Sequence, residues 1–354
     1  MAAAPSVTVL LAVYNGERFV EEAIRSVLAQ THDAFEFIIV DDGSTDRTPA
    51  IVSALPDDRI RVLRNDTNLG LTVSLNRGLA EARGEFLARL DADDIAEPTR
   101  LARQIRFLRE NRAVAMVGSG CRIIDERGRV LRKESQPENH DVLRWVMAFL
   151  CPFYHSAVTW RRSLVADRVG AYDESFRYAM DYDLWVRIAD RLPVANLPSP
   201  LVRYRMGPFA MSSTHPDRFT ELRRARFNAA HALFPEGSNE RALWDNQADR
   251  ILQIIDGWQP ETGPDEVDWV ATTIESLSES YIAGAAVPSV VADAIRKWTR
   301  HWLSRQLLKG AMDAHRIGAT ARRDASFRTA VSLRPASLAS FVAARYARAR
   351  LGLA

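Results

Sequence analysis

Apolar residues run almost unbroken through Ser6-Val7-Thr8-Val9-Leu10-Leu11-Ala12-Val13, many of them β-branched, which predicts a strand buried on both faces. The run stops at Tyr14-Asn15-Gly16, a turn. From Glu17 to Gln30 the period changes: Phe19, Val20, Ala23, Ile24, Val27 and Leu28 share one helical face. A second buried strand, Phe35 to Val40, ends in Asp41-Asp42-Gly43-Ser44-Thr45-Asp46. A helix over about 46–55, a strand over 60–63, a helix over 70–82 and a strand over 84–90 follow. Such alternation predicts crossover units, hence an α/β fold with a mostly parallel sheet flanked by helices. Further on, the pattern predicts a helix over 99–110, strands over 114–117 and 155–160, a hairpin turn at 125–129, and a helix beginning near Tyr178. From about Ser212 strand-like runs vanish and Trp, Ala, Arg and Leu recur at helical spacing, so residues 1–215 are expected to form the α/β domain and 216–354 a C-terminal helical appendage.

Chemistry concentrates where the fourth strand stops, at Leu90-Asp91-Ala92-Asp93-Asp94. In an extended chain Asp91 and Asp93 share a face, and two carboxylates on one face repel unless a cation lies between them. Hard divalent ions such as Mg²⁺ and Mn²⁺ take this kind of oxygen ligand, completed by substrate phosphates. The competing structural reading is a solvated acidic turn, with Asp94 or Glu97 capping the next helix. An EF-hand is excluded because Ala96 and Ala102 occupy its Gly and Glu positions. In parallel sheets ligands bind beyond the carboxyl ends of the strands. Tyr14, Asp42 and Asp91/Asp93 each follow such an end, which favours a site over the turn. Gly118-Ser119-Gly120 lacks the third glycine of a dinucleotide fingerprint, and no GxxxxGK[ST] occurs. Asp181 and Asp183 fall in the first turn of the helix near 178, where they serve as caps or, close to a metal-diphosphate site, offer a general base.

Composition narrows the partners. With 47% apolar and 26% charged residues and a formal net charge of +2, nothing suggests nucleic acid. Cys121 and Cys151 lie in apolar surroundings and read as reduced thiols, which suits the cytoplasm. No stretch reaches the roughly 18 apolar residues of a membrane span. From Arg296 onward, thirteen Lys/Arg face only Asp313 and Asp324, with Phe341 to Arg348 amphipathic. The alternatives there are a solvated basic face or peripheral attachment to the inner, anionic face of a membrane.

Six blocks in order carry a resemblance: Ala12-Val13-Tyr14-Asn15-Gly16; Ile39-Val40-Asp41-Asp42-Gly43-Ser44-Thr45-Asp46; Asn68-Leu69-Gly70-Leu71; Gly84 through Asp94; Asp181-Tyr182-Asp183-Leu184-Trp185; and Tyr204-Arg205 with Met211-Ser212-Ser213. Over roughly residues 6–215 the chain resembles the inverting family-2 glycosyltransferases of GT-A fold, most closely bacterial enzymes that extend lipo-oligosaccharide, O-antigen or capsule glycans. The resemblance implies a nucleotide-sugar donor, a UDP-sugar above others, a glycan or lipid-linked acceptor, and Mn²⁺ or Mg²⁺. It implies that Tyr14 stacks on the donor base with Asn15 beside it, that Asp42 accepts the uracil imide N–H, and that Asp91 and Asp93 form the DxD motif with Asp93 the direct metal ligand. Asp181 takes the position of the catalytic base. Arg203 and Arg205 are diphosphate partners or surface arginines. Two departures stand out: Met180 occupies a position often acidic in relatives, and Met206-Gly207-Pro208 replaces a metal-ligating His, for which His215 is a substitute eight residues on. These departures leave a catalytically impaired donor-binding or scaffold protein as the alternative function.

Overall fold

A computed structural model of the chain describes residues 5–207, 218–256, 264–316 and 320–333. The chain divides into two compact units, Met1–Ala229 and Ala230–Ala354.

The first unit is built on a nine-stranded sheet: β1 (Val7–Val13), β2 (Phe35–Asp41), β3 (Ile60–Arg64), β4 (Phe86–Arg89), β5 (Ile95–Ala96), β6 (Met116–Ile124), β7 (Val130–Glu134), β8 (Thr159–Arg161) and β9 (Val194–Arg205). Their order is β3-β2-β1-β4-β8-β6-β9-β5, with β7 added on β6. The strands β3, β2, β1 and β4 are mutually parallel, as the sequence predicts, and β6 is parallel to β9. The sheet becomes mixed because β8 runs antiparallel to both β4 and β6. Two antiparallel steps restore direction, so β9 ends at the same edge of the sheet as β1, β2 and β4.

Alternation of side chains divides the core between the two faces. Leu10, Ala12, Ile38, Val40 and Leu87 bury one way, against α3 (Leu71–Glu81), α5 (His140–Met147) and α7 (Met180–Arg191). Val9, Leu11, Val13, Phe37, Ile39 and Ala88 bury the other way, against α1 (Val20–Leu28) and α4 (Arg100–Glu110). The short helices α2 (Thr48–Ser53) and α6 (Arg162–Arg168) complete the flanks.

Three local expectations change. The segment 155–160 is not one strand: His155–Ala157 form a 3₁₀ turn closed by Ala157 N–H on the Tyr154 carbonyl at 2.8 Å, and pairing starts only at Thr159. Ser156 is drawn out of strand geometry by the bonds it makes to Asp91. The strand expected over 114–117 starts at Met116 and runs through Gly118 and Gly120 to Ile124, with glycine needed at 118 because a side chain there would overlap Asn196 and Phe153. Finally, neither Asp94 nor Glu97 caps α4, whose N-cap Thr99 makes no side-chain cap bond.

In the second unit, helices α8 (Arg218–Leu233, its last turn), α9 (Asn239–Asp256), α10 (Pro264–Ala285), α11 (Ser289–Arg316) and α12 (Thr320–Leu333) replace all strands among the described residues. Val267, Leu307, Leu308 and Ala330 form one of its apolar clusters. Three of the described tail cations are already paired: Arg296 with Glu279 and Asp293, Arg300 with Glu275, and Arg323 with Asp324. The amphipathic stretch 341–348, and the expectations for Met211, Ser212, Ser213 and His215, lie outside the described residues.

Candidate active site

Adjacent parallel strands deliver the predicted residues to one edge. Val13 at the end of β1 pairs with Asp41 at the end of β2, and Leu10 pairs with Arg89 of β4. Tyr14 follows β1 with 46% of its surface exposed, free to meet a flat ligand. Asn15 adopts a left-handed φ of 51° and works inward: its Oδ1 accepts the Thr45 and Asp46 N–H groups at 2.9 and 3.3 Å. Its own N–H donates to Ser44 Oγ at 3.0 Å. Asn15 therefore ties the β1 loop to the β2 loop. Gly43 (φ 73°) is required there, since a Cβ would run into the backbone of Thr67. Asp42 is 3% exposed and accepts from Asn65 Nδ2 at 2.7 Å and from the Leu69 and Gly70 N–H groups at 2.9 Å each. That carboxylate gathers three segments into the wall beneath Tyr14.

The Asp91–Asp94 turn rests on two buried arginines that periodicity alone would not place in a core. Arg89, within apolar β4, is fully buried and its Nη2 lies 2.5 Å from Asp91 Oδ1. Arg100 donates to the Arg89 and Val158 carbonyls at 2.7 and 3.0 Å. Burial, reinforced by Arg89, pushes the Arg100 guanidinium down to about 9. Ser156 completes the hold on Asp91, accepting its N–H at 2.9 Å and donating to Oδ2 at 2.8 Å. His155 Nδ1 lies 4.0 Å from Asp91, while Nε2 meets the Tyr172 hydroxyl at 2.9 Å. Burial and Arg89 push His155 down to about 3, so the imidazole is neutral near pH 7 and the contact is not an ion pair.

The three acids consequently differ. Burial would raise Asp91, but Arg89 and the hydrogen bond from Ser156 hold it below its ordinary value. Asp93 makes no such direct ion pair; burial and the charge of Asp91 outweigh the pull of Arg205 and Arg89 and push it up to about 6. Asp94 is buried, with Oδ1 accepting the Arg205 N–H at 2.7 Å and Oδ2 without a hydrogen-bond partner. Burial and its two acidic neighbours raise it well above the carboxylate range. Among the described residues no cluster of three His, Cys, Asp or Glu side chains would hold a metal by itself. The donor set nevertheless fits a hard cation shared with a diphosphate: Asp93 is a carboxylate outside any direct ion pair, beside a second, anchored carboxylate.

Asp181 lies in the first turn of α7, with Oδ1 accepting the Tyr182 N–H at 2.8 Å. Burial, together with the charge of Asp91, pushes it up to about 6, so it belongs to the same electrostatic neighbourhood as the DxD acids. Tyr204 near the end of β9 is raised by burial and by Asp94, Asp91, Asp93 and Asp181 in turn, and its ring lies 5.2 Å from that of Tyr154. Asp183, two residues on, is 3% exposed and paired with Arg187 at 2.8 Å. It is a structural acid.

The two candidate diphosphate arginines are both engaged by protein partners. Arg205 is 4% exposed, stacks 4.2 Å over Phe19, and donates to the Asp93, Asp125 and Glu126 carbonyls and to Glu22 at 2.6 Å. It braces the DxD turn from behind. Arg203 turns to Glu97 at 3.0 Å, which also takes Arg122 at 2.6 Å. Neither guanidinium is held out for a phosphate: Glu97 engages Arg203, while Glu22 and the Asp93, Asp125 and Glu126 carbonyls engage Arg205. Sequence reasoning missed Arg89, Ser156 and Glu221, which bonds to the α7 entry. Arg89 carried a local signal, a lone charge inside an apolar run; Ser156, 65 residues from Asp91, carried none.

Comparison with known proteins agrees with this architecture. The family signature described as "Glycosyl transferase family 2" matches residues 8–168. A glycosyltransferase of Haemophilus influenzae is 31% identical over 57% of the chain, which spans 66% of that relative's length. The amylovoran biosynthesis glycosyltransferase AmsE of Erwinia amylovora is 32% identical over 56% of the chain and 76% of its own length. The crystal structure of residues 1–349 of S. aureus TarS in complex with UDP-GlcNAc shares the fold, with a TM-score of 0.58 and 20% identity over 93% of this chain and 92% of that one.

Proposed function

Because this chain belongs to glycosyltransferase family 2, we propose that it transfers a sugar from a UDP-sugar to a hydroxyl of a glycan or lipid-linked acceptor, with inversion, in the building of a bacterial surface polysaccharide. The observation that carries this reading is Asp181: a carboxyl pushed up to about 6, fixed at a helix start, and close enough to Asp91 to feel its charge. An unpaired acid tuned toward neutrality suits a general base better than a cap. The AmsE likeness supports a polysaccharide product, and the UDP-GlcNAc complex of TarS supports a uridine donor.

In this reading exposed Tyr14 stacks on the base, and Asp42 accepts the imide N–H with the acceptor capacity left on Oδ2. Asp93, with Asp91, would hold Mn²⁺ or Mg²⁺, which when bound neutralises charge on the leaving diphosphate. Arg89 and Ser156 keep Asp91 from swinging out of register. Asp181 takes the proton of the acceptor hydroxyl as its oxygen forms the bond to the anomeric carbon. The bond to the diphosphate breaks on the opposite face, so one displacement inverts the centre. Asp181 returns its proton to solvent after product leaves.

No described helix is long and apolar enough to cross a membrane. Attachment at an anionic membrane face through the basic tail is the reading we favour for reaching a lipid-linked acceptor, given the thirteen cations against two acids. A donor-hydrolysis screen of UDP-, GDP- and dTDP-sugars with Mn²⁺ and Mg²⁺ tests the function. Turnover of UDP-sugars is expected; turnover confined to GDP- or dTDP-sugars would overturn the donor assignment.

A further inference from the structure

The helix that carries Asp181 has no capping side chain of its own: its N-cap is Ala179, which makes no side-chain cap bond. The entry to α7 is instead held by Glu221 of α8. The Glu221 carboxylate accepts the Arg177 N–H on both oxygens (2.9 and 3.0 Å), and Oε2 also accepts the Tyr178 N–H at 2.6 Å and the Ala179 N–H at 2.9 Å. One turn along α8, Arg224 donates to Ser175 Oγ at 3.0 Å, lies 3.6 Å from Asp173 and stacks 4.2 Å over the Phe176 ring. Leu222, Ala225 and Ala229, on the same face of α8, join the core that holds Phe176, Ala179 and Met180. The clamp thus lies wholly within the first unit, although α8 comes after the last strand and after the sequence boundary at 215.

We infer that Glu221, supported by Arg224, is a positioning residue for the base: it sets where Asp181 stands relative to the acceptor hydroxyl. The inference rests on the proposed role of Asp181. Backbone N–H bonds to an ionised carboxylate are among the stronger hydrogen bonds, and three consecutive N–H groups on one carboxylate fix the loop's path up to Ala179. Asp181 is two residues further. Without the clamp the entry to α7 loses the carboxylate that holds its N–H groups, and the base shifts or frays. Misplacing a reacting group by about 1 Å can cost about 10²-fold in rate. The proposed donor residues Tyr14, Asp42, Asp91 and Asp93 follow β1, β2 and β4, whereas the bonds of Glu221 go to residues 177–179.

The test uses the full chain and four variants: Glu221→Ala, Glu221→Gln, Asp181→Asn, and Asp181→Asn with Glu221→Ala. Glu221→Ala is expected to lower kcat by about 10–100-fold while the Kd for UDP, by calorimetry, stays within about twofold. Glu221→Gln keeps one acceptor oxygen and should recover most of the rate. The double variant should be no slower than Asp181→Asn, since a residue that acts only through the base has nothing left to position. A wild-type kcat in Glu221→Ala, a parallel loss of UDP affinity, or multiplicative effects in the double variant would overturn the inference. If Glu221→Ala is too unstable to assay, Arg224→Met loosens the same loop from its other anchor, and a wild-type kcat there counts against the clamp equally. A wild-type kcat in Asp181→Asn would instead remove the base assignment itself, an outcome distinct from failure of the clamp.

Discussion

Replacing Asp181 by asparagine should make the protein slower and, at pH 8, more stable. The carboxyl is pushed from 3.8 to about 6, chiefly by burial and then by the charge of Asp91. Folding therefore costs more when this group is ionised. Below about pH 4 it is protonated in both the folded and the unfolded chain, and its contribution is fully present. As pH rises from about 4 to 6 the unfolded chain releases its proton first, so the folded state loses that advantage. Above about pH 6 the whole penalty stands. Two units at about 1.4 kcal/mol each set a ceiling of about 3 kcal/mol. Partial exposure of Asp181 and the burial of an asparagine amide lower this to about 1–3 kcal/mol. For a unit of this size that is about 2–10 °C in Tm. Thermal melts of both proteins in EDTA, from pH 4 to pH 8, read the difference directly. The gap should open as pH rises and vanish near pH 4. An asparagine variant less stable at pH 8, or a gap independent of pH, would show that Asp181 is not a strained carboxylate in the empty site.

Three further outcomes follow from the site. Asp93→Ala should abolish turnover, as should excess EDTA, since Asp93 is the acid of the DxD pair that no direct ion pair occupies; full activity in EDTA would contradict this. Asp42→Ala should weaken UDP binding by about 1–3 kcal/mol, the range for a lost buried hydrogen bond, and calorimetry with UDP and GDP measures both the loss and the base preference. If the basic tail binds anionic lipid, liposome flotation should recover the protein with anionic vesicles and progressively less as salt rises; equal recovery with neutral vesicles would assign the tail to packing alone.

The parallel half of the fold was legible because buried parallel strands are continuous apolar runs and their helices keep a 3.6-residue period. The convergence of Tyr14, Asp42, Asp91 and Asp93 followed from that, since adjacent parallel strands end at one edge. What local pattern could not supply was the mixed half. β6 contains glycines that look like a loop but allow close packing, Gly118 against Asn196 and Phe153 and Gly120 against the Glu134 carbonyl. The 3₁₀ turn at His155–Ala157 interrupts a strand-like run because Ser156 is committed to Asp91. Arg203 and Arg205 look like phosphate ligands in sequence, but their partners Glu97, Glu22 and the Asp93 carbonyl become neighbours only when β9 pairs with β5 and β6. The Glu221 clamp is likewise a contact between distant segments, with no signature at either end.

The central claim is that Asp181 is the base, and steady-state kinetics of Asp181→Asn beside Asp183→Asn test it most directly. Asp183 is the natural control: it lies in the same helical turn, yet it is buried against Arg187. Asp181→Asn should lower kcat by roughly 10²–10⁴ with donor affinity nearly unchanged, because it removes only a proton acceptor that acts on the acceptor hydroxyl. Asp183→Asn should cost far less in kcat. Near-normal kcat in Asp181→Asn, with the loss appearing in Asp183→Asn, would contradict the assignment.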